Sequence, residues 1–60
     1  MTEEEHHARA MLMGMRYNKM AGYYFSLKGE RVFQRLDADT LEPVSLEEAN
    51  TRMKAAYARD

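Results

Sequence analysis

Polar and apolar positions along this chain change period twice, from helical to alternating and back to helical. Between Thr2 and Met20 the apolar residues fall on two helical faces. Ala8, Met11, Leu12 and Met15 share one at the i, i+3, i+4, i+7 spacing, and Met13, Tyr17 and Met20 recur on nearly the opposite side. Thr2 and Glu5 stand at the spacing of a capping box, and Glu3 to Glu5 suit the positive end of a helix dipole. Gly22 supplies a residue that tolerates the left-handed conformation past a helix end. The pattern predicts one helix from Thr2 to about Lys19 or Met20. Its first face packs on the domain's own sheet, and its second is left over.

From Gly22 to Leu36 the pattern alternates, which predicts a hairpin with Lys28-Gly29 as a two-residue turn. In that register Leu27 faces Glu30, Phe25 faces Val32 and Tyr23 faces Gln34, with Leu36 continuing this core side. The other side carries Tyr24, Ser26, Arg31, Phe33 and Arg35. Asp37 to Thr40 reads as an Asx-turn, and Leu41 to Val44 as a short third strand, placed at an edge by the missing N–H of Pro43. Ser45 and Glu48 form a second capping box, after which Leu46, Ala49, Met53, Ala56 and Tyr57 trace a narrow amphipathic stripe. The sum is a single small α+β domain over residues 1–60: an N-terminal helix, a two- to three-stranded antiparallel sheet and a C-terminal amphipathic helix, αβββα.

With 60 residues, such a domain buries only about 60% of the surface its unfolded chain exposes. Small domains supplement so thin a core with disulfides, metals or partners, and the absence of cysteine removes the first and a thiolate zinc site. Self-association or a partner subunit is the expectation left. The absence of cysteine also fits a reducing compartment, and cytoplasm is the expected location. No apolar run approaches the roughly 20 residues of a membrane span, and glutamates stand where a signal peptide carries positive charge, so neither membrane insertion nor export is expected.

The net charge of -1 hides a local bias: Arg16, Lys19, Lys28, Arg31 and Arg35 face a single acid, Glu30, in the middle of the chain. The remaining acids flank that segment.

Little in the chain points to catalysis. Adjacent helical residues such as His6 and His7 point about 100° apart and do not chelate one ion, and both are expected in solvent. Asp37, Asp39 and Glu42 resemble the start of a calcium loop, but Thr40-Leu41 lacks the third ligand and the glycine that such a loop needs. No nucleophile elbow, phosphate-cradling glycine loop or paired-histidine zinc helix occurs. A non-enzymatic protein without cofactor or metal is therefore expected.

Two surfaces stand out instead. Met13, Tyr17 and Met20 form the expected self-association or partner interface, since methionines adapt to varied partners and twofold homodimers are the commonest oligomers. Tyr24, Arg31, Phe33 and Arg35 mix aromatics with arginine, a composition that suits a protein interface or nucleic acid.

The closing run "VSLEEANTRMKAAYARD", following three predicted strands, resembles the AP2 and integrase amino-terminal DNA-binding domains in its Glu47-Glu48-Ala49 start and later Ala56-Tyr57. Those domains lay a three-stranded sheet in the major groove, backed by the helix. The resemblance covers the last two-thirds of the chain and implies Arg31 and Arg35 as groove contacts. The family's tryptophan and glycine positions are missing, and the first helix has no counterpart. The leading expectation is a small non-enzymatic regulator, adaptor or inhibitor that self-associates through its first helix and binds another macromolecule, with a protein as the expected partner and nucleic acid as the other candidate. A DNA-binding sheet domain is the alternative.

Overall fold

A computed structural model describes residues 1–58; Arg59 and Asp60, the end of the expected domain, lie outside the described residues. The elements are α1 (Glu3–Leu12), β1 (Arg16–Asn18), β2 (Tyr23–Lys28), β3 (Arg31–Asp37) and α2 (Leu46–Ala58). The strands form one antiparallel sheet in the order β1-β2-β3, so the α+β architecture and the αβββα order are as the pattern predicts.

The N-terminus of α1 is the expected capping box. Thr2 Oγ1 accepts from the Glu5 N–H at 3.2 Å, and the Glu5 carboxylate accepts from the Thr2 N–H. The Thr2 N–H, and next the Thr2 hydroxyl donating at 3.1 Å, hold the Glu5 carboxyl below its usual range. The C-terminus corrects the expectation, because α1 ends at Leu12 and not near Met20. Gly14 has a φ of +69°. Its N–H donates to the Met11 carbonyl at 3.1 Å, and the Met15 N–H donates to the Ala10 carbonyl at 2.7 Å. Those two bonds are a Schellman motif, closed by the apolar contact of Met15 with the same cluster as Ala10. The glycine that stops the helix is therefore Gly14. Gly22 does take a positive φ, of +70°, but inside the turn joining β1 to β2. Asn18 builds that turn, its Oδ1 accepting from the Met20 and Ala21 N–H groups at 3.1 Å each.

The hairpin register also differs from the predicted one. The turn is Gly29-Glu30, with Lys28 paired to Arg31, and a positive φ at Gly29 alone matches the φ signs of a type II′ turn. A bulge follows: Leu27 pairs with Val32 while Ser26 pairs with Gln34, which leaves Phe33 as the extra residue. Beyond it Phe25 pairs with Arg35, Tyr24 with Leu36 and Tyr23 with Asp37. The expected third strand at Leu41 to Val44 is reduced to one bridge, Pro43 to Leu36, on the outer edge of β3. There the Asp37 N–H donates to the Glu42 carbonyl and the Val44 N–H to the Arg35 carbonyl. The third strand of the sheet comes instead from residues 16–18, inside the segment predicted as helix.

Successive strand residues point to opposite faces, and both Tyr23 and Tyr24 are buried. Tyr24, at 0% exposure, packs with Ala10, Met15 and Ala38, beside Tyr17 and Leu36. Tyr23 packs with Ala21, Val44 and Ala49, beside Phe25 and Met53. The sheet therefore has α1 against one face and α2 against the other, with a small core on each side. Tyr24 belongs to the core and not to the outer face predicted for it.

The second helix is capped as expected by Ser45, whose Oγ accepts from the Glu48 N–H at 3.1 Å. Glu48 does not return to the cap; its carboxylate accepts from Arg52 Nε at 3.1 Å. The half-buried stripe is Ala49, Arg52, Met53 and Ala56, while Leu46 and Tyr57 are exposed. Arg52 ties α2 to the sheet: its guanidinium donates to Asp37 Oδ2 at 2.8 Å and to the Ala21 and Gly22 carbonyls at 3.3 Å each. Asp37 Oδ1 accepts from the Asp39 and Thr40 N–H groups, the predicted Asx-turn. These bonds, the Thr40 amide first and Arg52 next, pull the Asp37 carboxyl from 3.8 down to about 2.

Candidate interaction surface

The two surfaces singled out in the sequence are rearranged by the fold. Met13 caps α1, Tyr17 is the middle residue of β1 and Met20 sits in the turn after it, so they form no helical stripe. Met13 and Met20 remain exposed. Tyr17 is half-buried, its ring stacked on that of His6 at 4.7 Å and tilted against Tyr24 at 5.6 Å. Burial raises the Tyr17 hydroxyl above its ordinary range, with Tyr24 adding to it.

His6 was expected in solvent and is buried. Its Nδ1 lies 2.7 Å from the Tyr24 hydroxyl. The face of α1 that meets the sheet is thus His6 and Ala10, at i and i+4. An amphipathic reading scores histidine as polar and so passes over it. The signal available was the stretch of three aromatics at Tyr23 to Phe25, too many for one core face, with a histidine opposite to satisfy a buried hydroxyl.

The residues displaced from the core are large and apolar. Met11 and Leu12, expected to face the sheet, are 75% and 89% exposed. Of the predicted outer hairpin face, Arg31 and Phe33 are exposed, Phe33 at 62%. Arg35 is half-buried, with its Nε enclosed and without a hydrogen-bond partner among the described residues.

Beside α1 the fold leaves a groove. β1 covers β2 only at Tyr23 to Phe25, so Ser26 to Lys28 has β3 on one side and no strand on the other among the described residues. A space of about 340 Å³ lies there, lined by Met11, Gly14, Met15, Arg16, Ser26 and Leu27 among others. It continues past Phe25 and Tyr17 toward His7 as a second space of about 250 Å³. Ser26 Oγ is enclosed and has no hydrogen-bond partner among the described residues. Another depression, of about 380 Å³, borders Asp37, Ser45 and Arg52, but those groups already bond one another or the backbone.

Among the described residues, no three His, Cys, Asp or Glu side chains are grouped to hold a metal ion. No helix among them is long and apolar enough to cross a membrane. No protein-family model matches this chain, and no curated protein or solved structure is significantly similar to it.

Proposed function

We propose that this chain is a small non-enzymatic protein-interaction module, of the regulator, adaptor or inhibitor kind, that self-associates through the exposed end of α1 and binds another protein. One observation carries the reading. The chain exposes 4675 Å², whereas a compact monomer of its 7.0 kDa mass exposes about 4,000 Å². The excess of about 700 Å² approaches the roughly 800 Å² that each partner contributes to a standard interface. Met11, Leu12 and Met13 put contiguous exposed apolar surface at the end of α1. A sheet that lies in a DNA groove needs one bare face, and here Tyr23 and Tyr24 are buried on opposite faces, each on the side of a helix. That arrangement favours a protein partner over the nucleic-acid alternative.

Light scattering across a wide dilution series tests the self-association. The wild type is expected to be a dimer that dissociates on dilution, and Leu12→Glu is expected to be a folded monomer whose melting temperature no longer depends on concentration, since Leu12 lies outside both cores. A wild type that is monomeric at every concentration contradicts this part of the reading.

A further inference from the structure

We propose that the groove beside α1 takes an extended, acidic segment of another protein, which adds to the open edge of β2 in line with β1. The proposal rests on the interaction-module reading and specifies the partner's chemistry. Gly14, at a positive φ, ends α1 and brings the chain into the sheet only at Arg16. The space of about 340 Å³ lined by Gly14, Met15, Arg16, Ser26 and Leu27 lies where a longer β1 would run. The β2 backbone beyond Phe25 is left without a strand on that side. An open edge of this kind binds extended peptides by main-chain hydrogen bonds, with alternate side chains read by the flanking pockets.

Those pockets differ in character. Toward α1 the groove offers Met11 and Met15. On the opposite face Arg16, Phe25 and Arg35 form one cross-strand row, while Lys28 and its partner Arg31, farther along, lie by alternation on the α1 side. Glu30 is the only acid between Arg16 and Arg35. An added strand alternating apolar and acidic residues would seat the first against the methionines and the second beside Arg16, with its end reaching the Lys28–Arg31 pair.

The test is an NMR titration of the wild type, and of the Leu12→Glu variant, with a short acetylated peptide of alternating glutamate and valine. Three controls carry lysine for glutamate, proline at alternate positions, or single-stranded oligothymidylate. Expected are saturable binding of the first peptide, amide shifts concentrated at Gly14 to Arg16 and Ser26 to Lys28, and no binding of the lysine peptide. Arg16→Glu and Lys28→Glu, both at exposed positions, should each weaken the acidic peptide about tenfold. The proposal is overturned by absence of binding, by equal binding when proline replaces the residues whose N–H groups would pair along the edge, or by tighter binding of oligothymidylate with the same shifts. Dimerisation without peptide binding removes this proposal and leaves the module reading standing. Peptide binding by a protein that never dimerises does the reverse for self-association.

Discussion

Tyr24→Ala is expected to remove about half or more of the protein's stability. Tyr24 is the largest side chain with no exposed surface, and truncating a buried aromatic costs about 3–5 kcal/mol. A chain of 60 residues has roughly 3–9 kcal/mol of total stability to lose. Tyr24→Phe separates the volume from the hydroxyl. It keeps the packing against Ala10 and Met15 but removes the partner of His6 Nδ1, so a loss of about 1 kcal/mol is expected. Urea unfolding followed by circular dichroism measures both. An alanine variant as stable as the wild type would mean that the ring does not fill a core.

The second large effect belongs to the Asp37–Arg52 pair, which holds α2, the turn after β3 and the carbonyls of Ala21 and Gly22 together. Asp37 is depressed from 3.8 to about 2 in the folded state. A carboxylate lowered by folding contributes stability that is fully present above its unfolded value and is lost as pH falls through the folded one. The contribution is therefore intact at neutral pH, begins to decline near pH 4 and is gone below about 2; its size is about 2 kcal/mol. Asp37→Asn should lose that amount at neutral pH and converge with the wild type in acid. Arg52→Ala should cost as much or more, because it also strips two backbone carbonyls of a donor, and Arg52→Lys should recover only part, since lysine lacks the planar fork. Urea midpoints across a pH series check the sign: a wild type and Asp37→Asn that differ equally at neutral pH and in acid would refute the assignment.

Much of the fold was legible where one local interaction decides the outcome. The Thr2–Glu5 box, the Ser45 cap and the Asp37 turn are each made by a single side chain closing on nearby backbone, and each forms as its sequence predicts. The errors arise where a residue suits two periods. Met11 to Tyr17 continues a helical spacing, and only Gly14 marks the stop; the strand that follows, Arg-Tyr-Asn, is too short to show alternation. The hairpin register slipped for a related reason. Gly29 suits the second position of a Lys-Gly turn or the first of a Gly-Glu turn, and the bulge at Phe33 changes the facing pairs again.

The candidate site was less legible than the fold because it depends on which residues are left outside. The reading assumed one core and one covered sheet face, which placed Met11 and Leu12 inside and Tyr24 outside. A second helix face on the sheet reverses both placements. The groove beside α1 had no sequence signal of its own, since it is the space left where β1 stops short of the length of β2.

The account rests on Tyr23 and Tyr24 pointing to opposite, helix-covered faces, because that assignment decides which side chains remain free to bind. Nuclear Overhauser contacts of the two rings test it most directly. The Tyr24 ring should show contacts to the methyls of Ala10, Met15 and Ala38, and the Tyr23 ring to those of Ala21, Val44 and Ala49. Both rings contacting one helix, or a Tyr24 ring without contacts to α1, would contradict it and return Tyr24 to the binding surface.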